Sequence, residues 1–586
     1  MLTRHIIILP LVLSLSIFFA KIEAAPVHLV EEAAVKITTV APGVVLIDFG
    51  RVAFGNILIN TPQGKPQEIT VHFGESMEKD RINRKPPGTV RYASITAQLQ
   101  GGEKKVVAPK ADERNIKQPA AVLTPAEWGV VLPFRWVEIE GWNGEITAAQ
   151  IKRQSAFATT WDDDAAHFSC SDEKLNRIWD LCKYSIKATT FAGVYVDGDR
   201  ERIPYEADAY LNQLSHYATD KDVQMARDTY DRLMNHPTWP TEWASHMIFM
   251  AHADLMHTGD TKWLTPRFEA LKTKLLFNRA RADGLLVSNA AQVKRDDIVD
   301  WPVAERDGFV FKPVNTVVNA FHIRSLEMMA EMANKLNRKE ESKTYDRMAN
   351  TALISFNEKL FDATRGIYRD GEGTDHNSIH ATLFPLAFGL VPKEQQSTAT
   401  AWLEKRGMAC SVYAAQYLFE GLFQNESSNY ALSLMTANND RSWSHMVESD
   451  TTITWEAWDQ RYKPNQDWNH AWGAAPANLL PRFVLGAQPL TPGWTNAIIR
   501  PNIGSLTKAA GKVPTPRGPI LIDWKNGATF EISLKLPQGT RAQVQLPASA
   551  SSTGVYSASK KINAARVGQR WVLQEPVSGD ATFIVK

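Results

Sequence analysis

Ser171-Asp172-Glu173-Lys174-Leu175-Asn176-Arg177-Ile178-Trp179-Asp180-Leu181-Cys182-Lys183-Tyr184-Ser185-Ile186 is where the chain changes its period. Before it, Ile69, Val71 and Phe73, and later Val137 and Ile139, alternate with polar residues, the two-residue repeat of half-buried strands. Within it, Leu175, Ile178, Trp179, Cys182 and Ile186 fall on one face of a helix, and Ser171 stands as a cap before an acidic first turn. Helical spacing then persists through Leu326, Met329, Ala330 and Ala333, and through Ala349, Ala352, Leu353, Phe356 and Leu360, toward residue 485. About three hundred residues of helical pattern predict a toroid of helix pairs and not a four-helix bundle.

Working outward, Thr491-Pro492-Gly493 breaks the helical rhythm, and Phe530, Ile532, Leu534 and Leu536 restore alternation. A chain of 586 residues is too long for one core. The expected organisation is a β-sandwich domain over 25–168, an all-α domain over 169–487 and a second β-sandwich over 488–586. Between the first strands, Gly101–Gln118 is rich in Lys, Asp and Glu and predicts a solvated loop.

Arg4 and His5 precede an apolar run from Ile6 to Ala20, followed by Ile22-Glu23-Ala24. This predicts a signal peptide over residues 1–24, a periplasmic or secreted protein, and no membrane insertion after cleavage, the run being short for a span. Cys170, Cys182 and Cys410 form neither a disulfide framework nor a zinc pattern, and are expected to be buried thiols. With 65 basic and 64 acidic residues, the net charge of +1 provides no field toward nucleic acid or an anionic membrane. A neutral partner fits better.

Two acidic segments carry candidate chemistry. Tyr195-Val196-Asp197-Gly198-Asp199-Arg200-Glu201-Arg202-Ile203-Pro204-Tyr205-Glu206-Ala207-Asp208 crowds five carboxylates between two helices, where each perturbs the others' protonation. Thr454-Trp455-Glu456-Ala457-Trp458-Asp459 sets a glutamate between two indoles, and Asp467-Trp468-Asn469-His470-Ala471-Trp472 follows. Indole faces suit the apolar C–H faces of a pyranose, and carboxylates suit its hydroxyls. Core packing is the alternative for these indoles, as solvated ion pairs are for the first segment. No Gly-x-Ser-x-Gly elbow, His-Glu-x-x-His helix or phosphate-cradling glycine loop is present. A glycosidic bond needs a protonated acid and, for inversion, a carboxylate that activates water, which two distant acidic segments could supply.

At these residues the chain resembles the α-L-rhamnosidases of glycoside hydrolase family 78. The likeness runs from Pro133-Phe134-Arg135-Trp136-Val137-Glu138-Ile139-Glu140-Gly141-Trp142 to Pro489-Leu490-Thr491-Pro492-Gly493-Trp494 and Ala510-Gly511-Lys512-Val513-Pro514-Thr515-Pro516-Arg517-Gly518-Pro519-Ile520. It implies an (α/α)6 barrel between β-domains, Glu201 as general acid and Glu456 as the base that activates water. It further implies sugar contacts from Asp197, Asp199, Arg202, Asp208, Trp455, Trp458 and His470, with either Asp197 or Asp199 as the family's first aspartate. The motif departs from the family where Arg200 precedes the acid, where Pro204-Tyr205 replaces Gly-Trp and where Ala207 replaces Gly. Glu206 is an extra carboxylate that competes for the acid role.

Elsewhere in the helical block, Trp243 and Trp301 are candidates for stacking on the sugar, and His376 and His380 for holding hydroxyls; packing and helix capping are the alternatives. No cofactor and no metal site is expected. The expected function is an exported, inverting hydrolase releasing terminal α-L-rhamnose from plant or algal glycans or glycosides. The competing readings are a toroidal glycosidase for another glycone, such as glucose or an uronic acid, and a non-catalytic glycan-binding relative. Oligomeric state is not encoded in any recognisable pattern.

Overall fold

A computed structural model describes residues 27–112 and 121–586; the expected leader lies outside the described residues. The strand Val44–Asn60 is the spine of the N-terminal domain. It is apolar at nearly every position from Val52 to Ile59 because both of its faces are covered. Hydrogen bonds join eight antiparallel strands into one sheet, in the order Val27–Ala33, Ile151–Ala158, Val44–Asn60, Leu132–Glu140, Gln67–Gly74, Tyr92–Leu99, with Lys36–Ala41 and Lys104–Val107 also paired to the spine. Ile57, Ile59, Val71, Phe73, Phe134 and Val137 fill its core. Lys104–Val107 corrects the expected loop over Gly101–Gln118: Val107 is buried against the spine, an apolar signal too short to register among the surrounding charges.

The helix foreseen from the quoted stretch spans Glu173–Ala188, with Leu175, Ile178, Trp179, Cys182 and Ile186 buried. Its cap is Asp172 and not Ser171: the Asp172 carboxylate accepts from the backbone N–H of Lys174 and Leu175. His167–Cys170, immediately before it, pairs with Lys508–Val513, so this strand belongs to the C-terminal sheets even though it precedes the helices in sequence. That C-terminal unit has a seven-stranded and a five-stranded sheet, the latter holding a parallel pair, Asn496–Ile499 with Arg541–Pro547.

Six helical segments form an inner ring: Glu206–Thr219, Trp243–Thr258, Thr316–Lys335, Ile379–Ala387, Val412–Gln424 and Pro476–Leu479 continuing into Leu480–Leu485. Each packs on the next, and the last returns to the first. Most of these helices are buried on almost all sides, so their polar stripes are narrow or missing; Thr316–Lys335 keeps one in Arg324, Glu327 and Glu331. Rings from different members meet on the axis, among them Phe249, Phe321, Phe384 and Tyr417, at centroid distances of 5.0 to 5.7 Å. Edge-on and offset contacts of this kind make a rigid plug and not a pore. The outer helices Gln224–Asn235, Lys339–Leu360, Gln396–Arg406 and Ser428–Met435 pack outside it. Among the described residues no helix is long and apolar enough to cross a membrane.

The two ends of the ring differ. Toward the C-terminal ends of the inner helices, a cavity of about 340 Å³ is lined by Tyr217, Phe249, Met328, Phe388, Gln424 and Trp494. At the N-terminal ends, where helix dipoles favour negative charge, both acidic segments converge.

Candidate active site

The acid-bearing loop runs from Asp197 to Tyr205, entering the helix Glu206–Thr219. It closes on itself: Asp197 N–H donates to Ile203 C=O, Ile203 N–H to the Asp197 carboxylate, and Arg202 N–H to Gly198 C=O. Gly198 is required, since a Cβ there would lie 2.8 Å from an Asp467 carboxylate oxygen and 3.2 Å from Asn469 Oδ1. Arg202 has φ of 55°, a left-handed conformation that costs a side-chain-bearing residue about 1–2 kcal/mol. Its guanidinium is secured by Asp199 at 2.9 Å and by the carbonyl of Val131.

The N-terminal β-domain fastens this loop. Arg91, buried, pairs with Asp199. Glu75, also buried, accepts from Arg91 N–H at 2.7 Å and from Asn469 Nδ2 at 2.9 Å, while Asn469 Oδ1 accepts from Asp199 N–H at 2.8 Å. Burial pushes the Glu75 carboxyl up to about 8 against those hydrogen bonds. Beneath, Phe54 of the spine strand stacks on Phe191, whose ring centroid is 3.7 Å away, and Val131, Ala192, Val194 and Val196 complete an apolar layer. The loop that carries Glu201 is therefore clamped between two domains.

A cavity of about 90 Å³ is lined by Asp197, Arg200, Glu201, Tyr205, Asp208, Trp239, Trp243, Ile298, Trp301, Glu456, His470 and Trp472. The two acidic segments, more than 240 positions apart, meet here through Arg200: its Nη1 and Nη2 lie 3.1 and 3.2 Å from the two oxygens of Glu456. Its Nε lies 3.6 Å from Glu201. The two glutamates thus occupy different edges of one guanidinium. Glu201 has a side chain 38% exposed and accepts from the Tyr205 hydroxyl at 2.9 Å. Glu456 is 2% exposed and also accepts from Lys463 at 3.2 Å and from Asp467 N–H at 3.1 Å. Burial opposes its charge, but His470, Arg200 and Lys463 together hold its carboxyl below the usual range.

The other carboxyls respond differently. Burial, with Glu201 and Asp467 nearby, holds Asp197 well above the usual carboxylate range, and its Oδ2 has no hydrogen-bond partner within the protein. Burial and Glu456 push Asp467 up to about 6. Asp208 is raised by burial against a 2.6 Å hydrogen bond to His470 Nε2. His470 Nδ1 and Trp243 Nε1 are further buried groups without a protein partner.

Several residues expected to contact the sugar stand outside this cavity. Asp199 and Arg202 do not line the cavity; Asp199 is ion-paired with both Arg202 and Arg91, and Arg91 also with Asp112. Trp455 lies behind the wall, stacked on Trp468 at 5.0 Å, and Trp458 is packed edge-on against Trp443 with its Nε1 donating to Cys410 C=O. Both indoles near Glu456 are thus taken up by packing outside the cavity lining. His380 is buried on Asp300 at 2.6 Å and His376 pairs with Asp370, neither reaching the cavity. Glu206 turns away as well, accepting from Thr238. Of the first-aspartate candidates, Asp197 faces the cavity.

Arg200 and Tyr205, read from sequence only as departures, line the cavity, as do Trp239 and Trp472. Trp472 donates to the backbone carbonyl of Glu456 at 3.0 Å. Trp239 stands between Pro237 and Pro240, where no periodicity could mark it. All three cysteines are buried thiols. Among the described residues, two clusters could gather a cation, His72–Glu138–Glu140 and Glu456–Asp467–His470. In the first the carboxylates are already bound by Arg81 and Arg84, and in the second Glu456 is bound by Arg200 and Lys463.

A six-hairpin helical toroid between two β-domains, with carboxylates and indoles gathered at one mouth, is the class of protein that fold and site define. Residues 163–484 match the bacterial alpha-L-rhamnosidase 6 hairpin glycosidase domain, 38–157 the concanavalin-like domain and 486–561 the C-terminal domain of the same proteins. The chain belongs to the bacterial α-L-rhamnosidase family. An α-L-rhamnosidase of an Alteromonas species is 23% identical over 553 residues, covering 87% of this chain and 56% of the relative. The solved α-L-rhamnosidase of Dictyoglumus thermophilum superposes with a TM-score of 0.78 at 17% identity, covering 96% of this chain and 64% of that one. That of Streptomyces avermitilis, complexed with L-rhamnose, gives 0.77 at 16% identity, covering 96% and 54%. These structures share the fold. The chain spans about half the length of the curated relatives it matches.

Proposed function

We propose that this protein is an exported, inverting α-L-rhamnosidase that removes terminal α-L-rhamnose from plant or algal glycans or glycosides. The observation that carries this reading is the sharing of one small cavity by Glu201, partly open to solvent, and Glu456, buried among cations. Glu456 is held ionised by surrounding cations, as a base requires. Glu201 is half-open to solvent on the far edge of Arg200, from which it can receive and deliver a proton. Around them, Asp197 Oδ2, Trp243 Nε1 and His470 Nδ1 are polar atoms awaiting partners, and sugar hydroxyls supply both donors and acceptors.

In the reaction, Glu201 protonates the glycosidic oxygen as the C–O bond breaks, releasing the alcohol. Water bonds to the anomeric carbon from the opposite face and gives its proton to Glu456. Inversion needs room for that water, about 6.5–9.5 Å between the two carboxyls, and in the resting site the Arg200 guanidinium contacts both. In the resting site each Glu456 oxygen already accepts from two donors, so water must displace one. Arg200 is the donor that lines the cavity, and is the one that yields. Its charge is already balanced by the Glu456 carboxylate, which leaves little for a uronate carboxylate to gain.

Hydrolysis of a panel of aryl glycosides, followed by proton NMR in early turnover, tests the reading. α-L-Rhamnoside should be the preferred substrate and β-rhamnose the first product. Preference for a glucoside or uronide would assign another glycone, no turnover on any would leave a glycan-binding relative, and α-rhamnose appearing first would refute inversion. Export is supported by the charged and apolar leader sequence. Mass spectrometry of the native protein should find a terminus near Ala25, and an intact Met1 on cytoplasmic material would refute it.

A further inference from the structure

The loop His236-Pro237-Thr238-Trp239-Pro240 presents an indole at the cavity rim that none of the acidic motifs requires. Trp239 is 51% exposed, unlike Trp243, which is buried in the same wall. An indole kept half in water, inside a cleft, has an open apolar face. Its edge-to-face neighbour is Tyr205, at 6.1 Å, and the Tyr205 hydroxyl hydrogen-bonds Glu201. The aromatic rim is therefore built on the acid's side of the cavity, whereas Trp472 is tied to the backbone of the base.

The loop is also held in place. Glu206, the extra carboxylate of the first motif, is 1% exposed and clamps Thr238, accepting from its backbone N–H at 2.9 Å and from its hydroxyl. Prolines on both sides of Thr238-Trp239 fix φ and reduce the loop's freedom further. A buried carboxylate that binds one threonine of a surface loop twice needs a reason, and the residue next to that threonine is the exposed indole.

We propose that Trp239 is the platform on which the leaving group stacks, selecting leaving groups with a flat or ring-shaped apolar face, and that Glu206 is a positioning residue that sets this platform through Thr238. The proposal rests on Glu201 being the acid: the acid stands at the scissile oxygen, so an aromatic surface beyond it lies along the departing group and not along the glycone. Phenolic rings and pyranose rings share the chemistry recognised.

The test compares kcat and KM of the full chain for methyl, 4-nitrophenyl and disaccharide α-L-rhamnosides, together with inhibition by free L-rhamnose. Trp239→Ala should lower kcat/KM about 3- to 10-fold for substrates with ring leaving groups, mainly through KM. The methyl glycoside and the inhibition constant of rhamnose should stay unchanged, and Trp239→Phe should recover most of the loss. Thr238→Val and Glu206→Gln should reproduce the same selective pattern more weakly, with Thr238→Ser behaving as wild type. A loss confined to the aryl substrate assigns a phenolic partner, and one confined to the disaccharide a sugar. Equal losses on all three substrates, or weakened rhamnose inhibition, would overturn the proposal by placing Trp239 on the glycone side; no loss on any would overturn it outright. If the wild type prefers another glycone, the rhamnosidase reading fails, and the same methyl, aryl and disaccharide comparison with that glycone still decides the role of Trp239.

Discussion

Replacing Arg200 with glutamine should move the acid limb of the kcat/KM profile upward by about one to two pH units. The group being tuned is Glu456, 2% exposed, with the guanidinium 3.1 and 3.2 Å from its two oxygens. An opposite charge this close lowers a carboxyl by about one to three units, and the lower part applies because Lys463 and His470 remain. Two units correspond to about 2.7 kcal/mol of differential stabilisation of the charged base. The sign follows from the role: the base works ionised, so activity is present above its pKa and lost as pH falls through it. Weakening the cationic field raises that pKa, and the loss begins at higher pH. Asp467, raised to about 6, shares Arg200 and Glu456, so the limb belongs to the pair and not to one residue. The assay is the pH dependence of kcat/KM on an aryl α-L-rhamnoside, which reports ionisation in the free enzyme. Arg200→Lys should give a smaller shift, retaining charge without the fork. An acid limb that stays put or moves downward in Arg200→Gln, with the fold intact by melting temperature, would refute the assignment of Glu456 as a base held ionised by Arg200.

Glu201→Gln should slow substrates with poor leaving groups by about a hundredfold to ten-thousandfold while sparing an activated aryl rhamnoside; equal mild losses on both would remove Glu201 from the acid role. Glu456→Ala should abolish turnover, and azide should restore part of it as β-rhamnosyl azide; a trapped ester on Glu456 in the wild type would instead identify a nucleophile. Arg91→Ala removes the β-domain's grip on Asp199 and should destabilise the protein by about 2–3 kcal/mol, Arg202 still neutralising the carboxylate. Thermal unfolding and kcat should fall together there, and an unchanged melting temperature would show that the interdomain clasp carries no load.

Local pattern was sufficient for the strand-rich and helical blocks and their order, though not for the short strand Lys104–Val107 or the sheet that His167–Cys170 joins. The three- and four-residue spacing after Ser171 and the alternation around Phe530 each answer to contacts within a single helix or strand, and such periodicity is written along the chain. Glu201 and Glu456 were legible because each sits in a short motif of a known family. The cleft's membership was not. Trp455 and Trp458 flank Glu456 in sequence, yet the backbone turns their rings into the protein, while Trp239 and Tyr205 reach the cavity from a loop and a helix entry that carry no distinguishing pattern. Asp199 and Arg202 read as active-site charges and form a buried brace, because Arg91 arrives from the segment just before the strand Tyr92–Leu99, 108 positions earlier. Protonation states lay equally beyond the sequence. Asp197 and Glu456 are both buried acids, but only Glu456 has Lys463 and a two-pronged contact from Arg200 within reach, and charge in a low-dielectric site is decided by which opposite charges the fold brings near.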